Sequence, residues 1–513
     1  MIQRLPILLA LLALGAAAAG AQRVGVVPPA CSASATADEL PALQPGARAL
    51  AVLAFATPSG DQARHDLAAS IGTRVSQRLR ILRPREVMAR TRRGGGVAGA
   101  VNSRSGADAR YLLSATLEPD RPGVSFHVRL LDGRTGREVW QGRFARNRDR
   151  LHELEGAIAG AVATRTLRDL SREELRRVTR APTRSPDAYG HLLGGYQALR
   201  ERGQVGVQHA IESFDKAWRE DPAFVDAWVR LSMAYARFLE YGGLADLDAA
   251  AMLSAGLTAA DRALALDAGR SDAWVVRATL LERRNPRSLT GVRDAYERAL
   301  AVDPNDFEAH RRLATLLAHV GEHERAATHF RSALFLEPEN ARALTEFAEL
   351  RLTQDRYGEA CALLNAALEA DPAAIDAYIM RVLARIPLRE YRGAWADAET
   401  AVRLGSPTQG EAVSVLVDLA AEDTVAARAR ARQLARRPLV TSTRPLSVRE
   451  GELLAFAFVA VGERALAMRA LERVRPRGAA LWYVMGHPRL EPLRGTQAFQ
   501  TLLGATSPFE DQP

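Results

Sequence analysis

The sequence predicts a multidomain chain in which a small α/β domain precedes an all-α solenoid of stacked helical hairpins. Three observations carry this expectation. The pairs Asp303-Pro304, Glu337-Pro338 and Asp371-Pro372 recur at intervals of 34 residues, the length of one helix-turn-helix unit. Ahead of them, residues 47–170 switch between period-2 and helical apolar patterns, as the strands and helices of an α/β domain do. A chain of 513 residues also exceeds what one hydrophobic core organises.

At the amino terminus, Arg4 precedes an apolar run over residues 5–19 that ends in Ala19-Gly20-Ala21. A basic start, an apolar stretch too short for a comfortable membrane span and a small-x-small cleavage site mark residues 1–21 as a secretion signal. The chain is then exported, to the periplasm or the outer envelope; the alternative is an uncleaved N-terminal anchor. Residues 22–46 carry Pro28, Pro29, Pro41 and Pro45 and read as a linker. Two cysteines make no disulfide framework. Cys31 lies in that linker and Cys361 at a helical repeat position, so a bond between them is not expected. Val27-Pro28-Pro29-Ala30 is a poor lipobox, and lipidation of Cys31 is not expected either.

The α/β domain opens with a buried strand over residues 49–55, stopped by Pro58-Ser59-Gly60. Leu67, Ile71, Val75 and Leu79 follow four residues apart, one apolar stripe of an amphipathic helix. Strands are expected at 109–117, 124–131 and 138–144, with residues 132–137 as a hairpin loop, and a last helix from Leu151 to about Leu170. On the opening Ala51-Val52-Leu53-Ala54-Phe55, the block 109–117 and the block 128–140, residues 47–170 resemble the TolB-like amino-terminal α/β domain that precedes helical repeats in many bacterial proteins. Relatives often carry a DNA-binding or cyclase domain in front; a secretion signal in that place argues against transcription and nucleotide signalling. Residues 171–185 read as a second linker.

The repeats occupy residues 186–407. Taking each Pro as a closing position places Leu313 and Ala314 in a first helix, Gly321 at the turn, and Ala326, Phe330 and Ala333 in a second. The next unit repeats this with Phe347, Ala348, Tyr357, Ala360 and Leu364, and the one after with Tyr378, Ala394, Ala398 and Ala401. Small residues stand where the two helices of a hairpin cross and large ones fill the space beside them. This is the pattern of the tetratricopeptide (TPR) repeat. Upstream, Phe214 and Ala217, then Trp228 and Tyr235, then Trp274 and Tyr296 mark further units, with an insertion around residues 240–248. About six motifs result. Residues 408–513 read as degenerate helical repeats and a C-terminal cap, which a solenoid needs to cover its apolar end.

Motifs that spell chemistry fail on context. His319-Val320-Gly321-Glu322-His323 has the spacing of an inverted zinc-peptidase string, but Gly321 falls at the predicted turn, so the two histidines belong to different helices. Residues 94–99 contain G-x-G-x-x-G after a basic stretch instead of a buried strand and read as a loop. Ser213-Phe214-Asp215-Lys216 spells S-x-x-K across repeat core positions. No catalytic residue, metal site or cofactor is expected.

Charge is uneven. Residues 22–180 hold 27 arginines against 16 carboxylates, net +11, whereas residues 181–513 are net −3. An electrostatic partner is therefore expected at the front. Arg74, Arg78 and Arg80 read as part of a solvated basic helix face; Arg85, Arg90, Arg92 and Arg93 are candidates for contact with an anionic envelope surface. Nucleic acid is not expected in an exported protein.

The function expected is a non-catalytic scaffold that binds a protein or peptide in the cell envelope. In TPR proteins the first helix of each hairpin lines the concave groove. The resemblance makes Arg237, Thr279, Arg283, Arg311, Thr315, His319, Arg342, Glu346, Glu349 and Thr353 candidate groove residues. The alternatives are a sensor whose α/β domain binds a ligand and whose repeats relay it, and an enzyme subunit with its site in the front domain.

Overall fold

A computed structural model describes residues 31, 48–53, 55–57, 62–82, 87–89, 109–119, 123–167, 169–201, 203–240, 246–284, 289–474 and 479–506. The expected secretion signal, most of the expected first linker, the glycine-rich stretch 94–99 and the candidates Arg85, Arg90, Arg92 and Arg93 lie outside these residues.

In the front unit β1 (Arg48–Val52) runs parallel to β2 (Val87–Ala89) on one side and to β3 (Ala109–Pro119) on the other. β4 (Gly123–Asp132) and β5 (Glu138–Asn147) continue the sheet antiparallel, in the order β2-β1-β3-β4-β5. Parallel neighbours need a crossover, and helix α1 (Gln62–Leu82) lies between β1 and β2 in the chain. Alternation along the strands sends Val52, Leu113, Phe126 and Val128 to one face. There they pack with Ile71, Val75 and Leu79 of α1 and with Ile158 and Val162 of α2 (Leu154–Thr166). The β4–β5 hairpin is closed by Asp132, whose Oδ1 accepts from Thr135 N at 2.8 Å and Arg134 N at 3.1 Å.

Residues 171–185 are not a plain linker. They carry helix α3 (Arg172–Thr179), which Ser171 and Glu174 start with reciprocal side-chain bonds. The S-x-x-E spelling of that capping box stands in the sequence and was the missed signal. α3 lies tight on α2 because Gly156 has no side chain to hold it off: a Cβ there would stand 2.3 Å from Thr179 O.

Hairpins then follow in series: α4 (Pro186–Ala198) with α5 (Gln204–Glu220), α6 (Val225–Phe238) with α7 (Asp246–Leu266), and α8 (Ser271–Arg284) with α9 (Leu289–Val302). Next come α10 (Phe307–His319) with α11 (His323–Leu336), α12 (Ala341–Thr353) with α13 (Tyr357–Ala370), and α14 (Ile375–Arg385) with α15 (Tyr391–Arg403). Two more hairpins continue the array, α16 (Pro407–Ala420) with α17 (Thr424–Ala435) and α18 (Val448–Ala460) with α19 (Arg464–Glu472). Helix α20 (Ala479–Met485), a 3-10 segment (Pro488–Leu493) and α21 (Gln497–Gly504) finish the chain, burying Leu481, Leu490, Leu493 and Phe499 in the solenoid core. By length and composition α7 would also suit a membrane span, but it packs between α6 and α8 as a repeat helix.

Two local devices recur with the repeat. Gly321, Asp355 and Arg389, each 34 residues after the last, hold left-handed φ values of 83°, 59° and 60° at the hairpin turns. The residue after each donates its N–H five positions back, Glu322 to Leu317 O, Arg356 to Arg351 O and Glu390 to Arg385 O, which satisfies helix-end carbonyls. Between repeats, a ring tip bonds to the carbonyl six residues earlier. Trp228 Nε1 reaches Pro222 O at 3.0 Å, Trp274 Nε1 Ala268 O at 3.1 Å, His310 Nε2 Pro304 O at 3.0 Å and Tyr378 OH Pro372 O at 3.3 Å. Leu344 holds the same place after Pro338 and is simply buried.

The two cysteines are joined. Cys31 and Cys361 form a disulfide with their Cα atoms 5.1 Å apart, correcting the expectation of unpaired thiols. Cys31 N donates to Glu390 Oε1 at 2.6 Å, and Asn365 Nδ2 donates to Cys31 O at 2.9 Å. A partner 330 residues away leaves no spacing for a local reading to detect.

Candidate functional site

The first helices of successive hairpins touch in sequence, α10 to α12, α12 to α14, α14 to α16 and α16 to α18, and α20 lies against both α10 and α18. The candidate groove residues on α10 and α12 therefore meet each other and the chain's own C-terminal helices.

One network joins α10 to α12. Arg311, only 3% exposed, gives Nη1 to Glu346 Oε1 at 2.6 Å and Nη2 to Glu308 Oε1 at 2.6 Å. Thr315 Oγ1 donates to Glu346 Oε2 at 3.2 Å, and Arg342 Nε reaches Glu346 Oε1 at 3.0 Å from the exposed side. Burial alone would raise the Glu308 carboxyl, but hydrogen bonds from Arg311 and the charges of Arg312 and Arg311 hold it at about 2.

A second network joins α12 to the C-terminal helices. Glu349 accepts from Arg449 Nη2 at 2.5 Å, and Arg449 Nη1 also bonds Glu452 at 2.5 Å. The His319 ring stands 5.4 Å from the Tyr483 ring. Burial lowers the His319 imidazole and raises both the Tyr483 phenol and the Glu452 carboxyl, the last against the pull of Arg449. Thr353 is the hydrogen-bond partner of Tyr483. Arg449 and Tyr483 were not candidates from the sequence; their signal, polar groups between helix packing positions, is shared with every surface residue.

Upstream the groove side chains are less enclosed by the C-terminal helices. Arg283 Nη1 donates to Leu239 O at 3.3 Å and Nη2 stands 3.7 Å from Glu240, while buried Thr279 bonds Val275 O at 2.9 Å. Arg237 is exposed. His319 and His323 end one helix and begin the next across the left-handed Gly321, the break their spacing predicts. Among the described residues no three His, Cys, Asp or Glu groups are placed to hold a metal ion.

The basic face of α1 is not solvated, which corrects the expectation for Arg74, Arg78 and Arg80. Arg74 is 3% exposed and bonds Glu155 of α2 and Asp226 of α6. Gln77 Nε2 donates to Asp272 Oδ2 of α8 at 2.8 Å, and Arg80 Nη2 reaches Asp303 Oδ2 at 2.5 Å. Arg78 gives Nη1 to Val178 O and Arg180 O. Residues 74, 77 and 80 share one helix face, and they reach progressively along the array, to the second hairpin and then to the start and the close of the third. Burial would raise the Asp226 carboxyl, yet Arg74, Arg270 and Arg230 hold it far below the usual carboxylate range. A continuous core of Leu154, Tyr189, Leu192 and Phe214 joins the front unit to the first hairpin.

Residues 295–327, from the middle of α9 into α11, match the family described as Tetratricopeptide repeat. Among solved structures the chain is similar to PilF of Pseudomonas aeruginosa, at 18% identity over 42% of this chain and 92% of that one, with a TM-score of 0.36. It is similar to PilW, described as a type IV pilus biogenesis factor, at 17% identity over 42% and 94%, with a TM-score of 0.37. A tetratricopeptide repeat protein from Parabacteroides merdae is 18% identical over 53% and 99%, with a TM-score of 0.37. No curated protein matches the chain.

Proposed function

We propose that this chain is an exported, non-catalytic scaffold that holds a protein or peptide partner on its repeats in the cell envelope. The observation that carries the reading is the uninterrupted hairpin array, part of which matches a repeat family, with charged side chains between its packing positions. The disulfide between Cys31 and Cys361 supports export, because such bonds persist in oxidising compartments. The front unit, a mixed sheet with helices on one face, is read as the TolB-like domain its sequence resembles. The partner would contact Arg237, Arg283 and Arg342, which keep solvent-facing surface, while Arg311, Glu349 and His319 hold the wall in place.

Fractionation followed by affinity capture with the full chain tests this. A partner that co-fractionates with the envelope and is lost from the Arg237→Glu/Arg342→Glu variant supports it. A chain found in the cytoplasm, or capture indifferent to both residues, overturns it. Reversing Arg311 or Glu346 would be uninformative, since those groups pair with each other inside the wall. A second reading, a sensor whose front unit passes a signal to the repeats, is favoured by the clamp of α1 on Asp226, Asp272 and Asp303. It predicts that a ligand of the front unit changes partner affinity in the wild type and not in Gln77→Ala/Arg80→Ala.

A further inference from the structure

The most concentrated positive charge in the repeats lies where the net count hides it. Residues 424–445 contain Arg428, Arg430, Arg432, Arg436, Arg437 and Arg444 and no carboxylate. Three of these are already paired with carboxylates, Arg444 while exposed. Arg430 bonds Asp418 at 3.0 Å and lies over the Trp395 ring, Arg437 pairs with Glu411, and Arg444 bonds Glu450 at 2.8 Å. The other three, Arg428, Arg432 and Arg436, are exposed, and among the described residues none is paired with a carboxylate. They stand four residues apart, so they form one outward stripe along α17 and its end. Ala427, Ala431 and Leu434 hold the opposite face of α17 in the core, and Val425, 80% exposed, extends the outward face by one turn.

We propose that this stripe is a docking surface for an anionic phospholipid bilayer. Guanidinium groups bind phosphate oxygens through paired N–H donors and keep their charge at any physiological pH. The stripe lies on the second helix of its hairpin, away from the row of first helices, and consists of like charges without the large aromatic anchors that dominate protein interfaces. A row of like charges on such a face suits the diffuse field of many headgroups, which contributes through each Lys or Arg brought near the surface. Val425 adds a small apolar contact at the same level. The proposal does not depend on the groove partner; the two faces can be tested apart.

The test is co-sedimentation of the full chain with vesicles of phosphatidylcholine containing a minority of phosphatidylglycerol, against vesicles of phosphatidylcholine alone. Binding is expected only to the anionic vesicles, and to weaken steeply as salt is raised. The Arg428→Gln/Arg432→Gln/Arg436→Gln variant is expected to lose about a hundredfold in partition, roughly fivefold per charge. The matching Arg→Lys triple is expected to keep most of the binding, which separates lost charge from lost fold. Removing three exposed front arginines instead, Arg134→Gln/Arg137→Gln/Arg176→Gln, is expected to have little effect. Equal binding to both vesicle types, loss only in the front variant, or full competition by inorganic phosphate at equal phosphate concentration would each overturn the proposal. The last would reveal a discrete anion site, and the first two would leave the stripe without a bilayer role.

Discussion

Arg74 Nη2 lies 2.7 Å from Asp226 Oδ2, so a helix of the front unit and the second repeat hairpin share one buried ion pair. Glu155 bonds the same guanidinium through Nε, and Tyr189 OH donates to Glu155 Oε1 at 2.5 Å. Removing Arg74 takes one cation from a buried cluster in which Glu155 keeps Arg78 and Asp226 keeps Arg270. Arg74→Met is expected to cost about 3 kcal/mol, because two buried carboxylates each lose one of their cations. Asp226→Asn should cost less, since Glu155 keeps Arg74 compensated. Urea unfolding of both single variants and the double checks this; additive losses would mean the groups are not coupled.

Acid is expected to loosen the fourth repeat. His310 Nδ1 lies 2.9 Å from His329 Nδ1, and His310 Nε2–H is given to Pro304 O, so His310 Nδ1 accepts and His329 Nδ1–H donates. Burial, with the neighbouring His310 and Arg325, lowers His329 to about 4, and burial lowers His310. A folded pKa below the unfolded value of about 6.5 gives stability that is present above pH 6.5 and lost as pH falls toward 4. The loss should be about 1–3 kcal/mol, reduced by partial exposure of the ring. His329→Gln, which keeps a donor toward His310, should shrink the fall in the urea midpoint across that window, the remainder coming from His310, His319 and His487, which burial also lowers.

Reduction is expected to destabilise the wild type and nothing else. Opening the Cys31–Cys361 bond frees a segment held otherwise by Glu390 and Asn365. A cost of about 2–5 kcal/mol follows from the long loop the bond closes. Calorimetry with and without reductant should show a lower midpoint for the reduced chain, matching Cys361→Ala under either condition. Two titratable thiols in the native oxidised protein would contradict the bond.

Helix crossings should punish a single methyl group. A Cβ at Gly195 of α4 would stand 2.3 Å from Cε1 of Phe214, whereas at Gly190 on the same helix nothing lies within 4 Å. Gly195→Ala is expected to destabilise by about 1–3 kcal/mol through overpacking. Gly190→Ala should stabilise by up to about 1 kcal/mol through helix propensity. Thermal midpoints of the two variants in one background decide it.

The solenoid was legible because its signals are local. A Pro every 34 residues and small residues at the crossings follow from hairpin geometry, and Gly321 suits the left-handed turn that Asp355 and Arg389 hold in the next two repeats. The front strands were legible from alternation, which reports one buried face. What could not be read are relations between distant segments. Arg74, Gln77 and Arg80 spell the same stripe whether they face water or Asp226, Asp272 and Asp303. Cys31 carries no mark of Cys361, and Glu349 none of Arg449. The S-x-x-E of Ser171 is local and readable, but the segment around it is short and polar and has the composition of a linker.

The disulfide has a mechanical consequence. Helical repeat arrays stretch by peeling hairpins from their ends, since each contacts only its neighbours. A pull between the two ends of this chain would pass from Cys31 straight to Cys361, bypassing the front unit and helices α4 to α12. Among the repeats, the load would fall on the array beyond Cys361 and on the contacts that α18 and α20 make with α12 and α10. A molecule fixed by its ends would thus behave as a short spring attached to a shielded, unstretched body, and a reductant would turn the whole length into the spring.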